Sequence, residues 1–114
     1  MARPRKCRFV RTRPEARFYK PQGIPLRGLK IRALKDEELE ALALADAQGL
    51  DQEAAARLMN VSRSTFSRTL AQARKTVATA LLEGAAIEIG GGDFRLVAEG
   101  EDERLEEATA VLKS

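Results

Sequence analysis

Apolar positions change their period along this chain. Between Leu39 and Leu81 they recur at steps of three and four: Leu39, Leu42 and Ala43 first, then Phe66, Leu70, Ala73, Val77, Ala80 and Leu81. Such spacing lays an apolar stripe along one face of a helix. From Ala86 to Glu99 the pattern alternates instead. Ala86 and Glu88 stand against Ile87 and Ile89, then Phe94, Leu96 and Ala98 against Arg95, Val97 and Glu99, with "GGGD" between the two runs. Period two around a glycine-rich connection predicts a β-hairpin over residues 85–99. Ahead of Asp36 neither period holds. All four prolines (Pro4, Pro14, Pro21, Pro25) lie there, so residues 1–35 are expected to form an extended arm, with one short strand at "CRFVRT".

Punctuation residues divide the helical region into three. Asp36, Glu37, Glu38 and Glu40 fall in a first turn, where they complement the helix dipole, and Gly49 stands at a C-terminal cap position. Asp51 can cap "QEAAARLM", Asn60 can take the left-handed conformation that stops it, and Ser62 can cap the next run, which Gly84 closes. Helices are expected at about 36–48, 52–59 and 63–83. The last two are joined so tightly that they must cross steeply. Ala55 and Ala56 are small where they approach, Met59 and Val61 are apolar beside the turn, and Phe66 is apolar one turn later. The expected fold class is mainly α: a three-helix helix-turn-helix unit over 36–84, an extended basic arm before it, the hairpin after it, and an acidic tail over 100–114.

Charge adds an asymmetry that the net value of +3 hides. Residues 1–35 hold twelve cations and one acid, Glu15, whereas residues 81–114 hold nine acids and three cations. A cationic head is the expected footprint of a polyanion, nucleic acid first and an anionic membrane surface second. The arm's apolar residues Phe18, Tyr19, Ile24 and Leu26 are expected to dock on the core and leave the arginines outside. Cys7 is the only cysteine and there is no histidine, so an internal disulfide is excluded and a one-chain zinc site has too few ligands. No apolar run follows the cationic start and none is long enough to span a bilayer, so neither a secretory leader nor a membrane partner is expected. Cytoplasmic residence is the expectation. With no histidine and no phosphate-cradling motif, neither an enzyme nor a cofactor is expected.

"NVSRSTFSR", residues 60–68, carries the candidate chemistry. The second helix of a helix-turn-helix presents its first residues to the major groove. Ser62, Arg63, Ser64, Thr65, Ser67 and Arg68 are therefore candidate DNA contacts. Arginine matches guanine O6 and N7, and hydroxyls bond phosphates or base edges. Arg63, Ser64, Thr65 and Ser67 are assigned toward bases or nearby phosphates and Arg68 toward the backbone. Gln72, Arg74 and Lys75 are placed at flanking phosphates, and Arg3, Arg5, Lys6 and Arg8 of the arm add sequence-independent affinity.

"MARPRK", "FYKPQGIPL", "LADAQGLDQEAAARLMNVSRSTFSRTL" and "EGAAIEIGGG", in that order over about residues 1–95, resemble uncharacterised-protein-family 0251, also described as domain of unknown function 134. The resemblance implies a prokaryotic DNA-binding protein whose helix-turn-helix is similar to the promoter-reading region (region 4) of bacterial primary sigma factors. Two positions depart from the family's pattern, Ser64 where it typically has a proline and Asn60 where its turn commonly has a glycine, and Thr69 stands where the helix-turn-helix motif is usually apolar.

The leading expectation is a sequence-specific DNA-binding protein, a small transcription regulator. A single small module buries little surface, so a homodimer on two half-sites is expected, with the hairpin as its candidate surface. A second reading is a protein-interaction module that contacts the transcription machinery. A third makes Cys7, between Lys6 and Arg8, a redox or metal sensor through a lowered thiol pKa.

Overall fold

The computed structural model describes residues 8–92 and 94–96. Its elements are β1 (Arg8–Val10), β2 (Phe18–Tyr19), β3 (Ile31–Leu34), α1 (Asp36–Leu42), α2 (Gln52–Leu58), α3 (Arg63–Glu83), β4 (Ala86–Ile89) and β5 (Phe94–Leu96). α1 runs on into a π-helical turn, Ala43–Ala47, closed where the Gln48 N–H donates to the Ala43 carbonyl at 2.9 Å. Asp51 Oδ1 accepts the Ala54 N–H at 2.8 Å and so caps α2. Asn60, at φ 60°, makes the left-handed step that lets the chain restart as α3 after four residues, and Gly84, at φ 66°, ends α3.

Two apolar clusters hold these pieces together. Ala41, Leu44, Ala55, Ala56, Met59, Phe66 and Leu70 join α1 and its π turn to α2 and the first half of α3. Leu34, Ala73 and Ile89, with Leu39, Leu42, Val77 and Ile87 beside them, seat the middle of α3 on β3 and β4. Alanines at four of these core positions allow close backbone approach, so the core is aliphatic and tight rather than large.

The sheets correct the expected fold class. The described residues form an α/β mix, not a mainly α three-helix unit with a hairpin attached. β4 and β5 do not pair with each other. β4 is the centre of a three-stranded sheet, antiparallel to β2 (Phe18 opposite Glu88) and parallel to β3 (Ile31 opposite Ala86 through Leu34 opposite Ile89). β5 lies parallel to β1, with Arg8 opposite Phe94. Alternation reveals a strand but not its partner, and here all three partners, β1, β2 and β3, come from the segment read as an arm. Parallel neighbours need a long crossover, which the three helices supply between β3 and β4. The glycine run turns outward instead of back: the Gly90 N–H donates to the Leu34 carbonyl at 3.0 Å, and the Gly91 carbonyl accepts the Asp36 N–H at 3.3 Å. Gly92, at φ 97°, passes so close to α1 that a Cβ there would lie 2.9 Å from Glu37 Oε1.

The arm is also inverted relative to expectation. Tyr19, Ile24 and Leu26 are exposed and Phe18 nearly as much so, whereas Asp36, Glu37, Glu38 and Glu40 are buried. A buried carboxylate requires a cation or hydrogen bonds. The arm provides both. Arg17 Nη2 reaches Asp36 Oδ1 at 2.5 Å and Arg8 Nη1 lies 2.9 Å from Glu37 Oε2. Glu40 Oε1 accepts the backbone N–H groups of Arg11 (3.1 Å) and Thr12 (2.8 Å). Glu38 Oε1 accepts the Lys35 N–H at 2.9 Å. The acids of α1 thus do more than face the helix dipole: they fasten residues 8–17 to the helical unit.

Candidate nucleic-acid interface

α3 begins where Ser62 Oγ accepts the Thr65 N–H at 3.1 Å. The same oxygen lies 3.2 Å from Ser64 Oγ and donates to Thr65 Oγ1 at 2.9 Å, so three hydroxyls form one network on the first turn. Phe66, Leu70, Ala73 and Ala80 are buried, which fixes the rotation of the helix. Ser64, Ser67, Arg68, Ala71 and Lys75 then fall on the opposite side, and all are exposed. Arg63 is exposed on one flank. In its 21 residues α3 carries one acid, Glu83, at its last position, against Arg63, Arg68, Arg74 and Lys75. A small residue, Ala71, sits between Arg68 and Lys75, which lets a partner surface approach the backbone closely.

Thr65, Arg68, Thr69 and Gln72, at helical steps of three and four, line an open cleft of about 480 Å³. Its other walls are Arg8 of β1, Lys35, Glu37 and Glu38 at the start of α1, and Gly92. Thr69 donates from Oγ1 to the Thr65 carbonyl at 2.9 Å, so its hydroxyl is satisfied within the helix. Arg68 Nη2 is 3.4 Å from Thr65 Oγ1, which steadies the guanidinium over the first turn.

The structure therefore brings Arg8, Thr65, Arg68 and Gln72 together at one cleft, with Ser62, Arg63, Ser64, Ser67 and Lys75 on the adjoining exposed surface. Arg74 is separated from them. Its Nη2 and Nε bond Asp46 Oδ1 and Oδ2 at 2.7 and 3.1 Å, across the flank facing the π turn. These hydrogen bonds raise the Arg74 pKa and lower that of Asp46. At the far end of α3, Arg32 forms a similar pair with Glu83, at 2.5 to 2.9 Å, raising its own pKa and lowering that of Glu83. Lys35 was missed by the sequence reading. Nothing local marks it, because it reaches the cleft only through the packing of α1 against α3. Arg3, Arg5, Lys6 and Cys7 and the acidic tail lie outside the described residues. Among the described residues no three His, Cys, Asp or Glu side chains are grouped to hold a metal ion, and no helix is long and apolar enough to cross a membrane.

Fold and surface together define a small α/β protein with one nearly acid-free, cationic helix face. The chain belongs to the family described as "Protein of unknown function DUF134", whose family model matches residues 1–97. It is 60% identical over 92 residues to a UPF0251 protein of Rhodospirillum rubrum, covering 81% of this chain and 64% of that one. A UPF0251 protein of Desulfosudis oleivorans is 53% identical over 94 residues, covering 82% and 68%, and one of Dehalococcoides mccartyi 53% over 96 residues, covering 84% and 82%. The chain thus spans less than two thirds of the length of the first of these relatives. No solved structure matches it.

Proposed function

We propose that this protein binds double-stranded DNA sequence-specifically, as a small transcription regulator, with α2, the turn and α3 acting as a sigma-factor-like helix-turn-helix. The observation that carries the reading is the exposed stripe Ser64, Ser67, Arg68, Ala71 and Lys75, cationic and hydroxyl-bearing, on a helix whose one acid is at its far end. Phosphates favour such a face, and base edges in the major groove discriminate through arginine forks and hydroxyls. Arg68 sits mid-stripe and is assigned to a base, where the sequence alone had favoured the backbone. Arg63, on the flank, meets a base or phosphate at the groove edge.

Selection from random duplexes over a salt series tests this. Wild type is expected to yield one motif. Arg68→Ala should relax it at one position by about 1–3 kcal/mol, whereas Lys75→Ala should weaken all sequences evenly and lower the salt slope by about one. Strong but sequence-blind binding by every variant would overturn the reading.

A second surface favours a protein partner. Leu81 and Leu82 are 74% and 89% exposed at the end of α3, beside a groove of about 360 Å³ lined by Tyr19, Lys20, Pro21 and Ile87. Exposed apolar residues grouped this way mark contact sites. This end, rather than a hairpin, is the surface for a second copy on a paired half-site. The transcription machinery is the other occupant. Loss of a sedimenting dimer in Leu82→Glu would favour the first.

A further inference from the structure

We propose that Lys35, Thr65 and Gln72 form a seat for one backbone phosphate of bound DNA, on the flank of α3 that faces the start of α1. The inference rests on the DNA-binding reading above and deepens it. It names the contact that holds a strand beside the reading helix, and a residue outside the helix-turn-helix that makes it.

A helix with its side chains is about 10–12 Å across and the major groove about 12 Å wide, so a helix lying in the groove has a phosphate strand along each flank. The two flanks of α3 differ. On one, Arg74 is held by Asp46 at 2.7 and 3.1 Å. The other is the cleft of about 480 Å³, which Thr65 and Gln72 share with Lys35. Lys35 is exposed, and among the described residues no carboxylate pairs with its ammonium. Its backbone is fixed: the Lys35 N–H donates to Glu38 Oε1 at 2.9 Å, and the Asp36 N–H to the Gly91 carbonyl at 3.3 Å. With these two amides engaged, side chains rather than the helix end supply the donors of the cleft.

The donors are free to serve a phosphate. Thr65 Oγ1 accepts from Ser62 Oγ at 2.9 Å, which leaves its own hydrogen to donate. Gln72 Nε2 has two hydrogens and uses one in a long contact, 3.4 Å, to Thr76 Oγ1. An ammonium, a hydroxyl and an amide at one cleft match the oxygens of a phosphodiester, which accept and do not donate. The two acids of the cleft are buried and engaged. Glu37, 5% exposed, is paired with Arg8 at 2.9 Å, and Glu38, 6% exposed, accepts the Lys35 N–H. Lys35, Gln72 and Arg68 are exposed instead, so an approaching strand meets the cations and the amide first. Arg68, on the border between cleft and stripe, keeps its assignment to a base.

The test uses the full chain and the duplex it selects, with a methylphosphonate placed at one phosphate at a time to remove that phosphate's charge. In wild type, neutralising the seated phosphate is expected to weaken binding several-fold and to lower the salt slope by about one. Lys35→Ala should weaken every duplex alike and keep the motif, and in that variant the methylphosphonate at the seated position should cost nothing further. Lys35→Arg should restore the penalty, and Lys75→Ala should couple to a different phosphate. If every methylphosphonate costs the same in Lys35→Ala as in wild type while the motif persists, Lys35 holds no strand, and the proposal fails with the DNA reading intact. Movement of the Lys35 and Thr65 amide resonances with inorganic phosphate would, in that case, make the cleft a site for a free anion. If wild type selects no motif, the DNA reading itself fails, and this inference with it.

Discussion

Glu40→Ala should detach the arm from the helical unit. Glu40 is fully buried, its Oε1 accepts two backbone N–H groups at 2.8 and 3.1 Å, and its Oε2 lies 3.7 Å from Arg11 Nη1. Hydrogen bonds to a charged acceptor contribute about 1.5–3 kcal/mol each, and donors stranded by truncation cost about 1–3 kcal/mol. These terms overlap, and removing one member of a buried ion pair costs about 3–5 kcal/mol in all. That is a large part of a typical total of about 5–15 kcal/mol. Glu40→Gln keeps a carbonyl acceptor without the charge, so its loss should be about half as large. Urea unfolding measures both, and at a slope of about 1–3 kcal/mol per molar the alanine midpoint should fall by about 1–5 M. Amide exchange at Arg11 and Thr12 should accelerate in the alanine variant most. A cost below about 1 kcal/mol for Glu40→Ala, or equal costs for the two variants, would refute the view that this carboxylate anchors the arm.

Gly92→Ala should destabilise by about 1–3 kcal/mol in thermal or urea unfolding, because φ is 97° and the new Cβ would press on Glu37 Oε1 at 2.9 Å. Asp46→Asn weakens the hold on Arg74 beside the proposed interface; DNA titrations should show tighter nonspecific binding and a steeper salt dependence by up to about one phosphate contact. Ser62→Ala removes the cap of α3 and should cost about 1 kcal/mol in unfolding. Asp46 and Glu83 both have lowered pKa values, chiefly from arginine hydrogen bonds. Their small stabilisation is complete above the ordinary carboxylate range and lost as pH falls through the lowered values, so Asp46→Asn should flatten the acid limb of a stability profile.

Much of the helical region was legible because its signals are local. The Ser62 cap, the left-handed Asn60 and the closing Gly84 each act within a turn of their own position, and the Phe66, Leu70 and Ala73 stripe fixes the rotation of α3 without reference to anything distant. The same stripe makes Arg68 an exposed residue. Family membership was legible too, since it resides in the order of residues. Arg74 could not be sorted from its neighbours by spacing, because its partner Asp46 is 28 residues away.

What the chain alone determined is therefore the set of parts: helices with their caps, short alternating runs, and a cationic head followed by an acidic first turn. Which strands pair was decided only in three dimensions. Alternation reports a pleat and not a neighbour, and β4 found β2 and β3 while β5 found β1. The fate of the charges was decided there as well. A carboxylate on the first turn of a helix reads the same whether solvated or buried, and only the packing of residues 8–17 over α1 turned Asp36, Glu37 and Glu40 into anchors for Arg17, Arg8 and the Arg11 and Thr12 amides. Burial raises the cost of leaving such a group without a partner, so tertiary structure determined which cations of the arm are held by the protein's own acids.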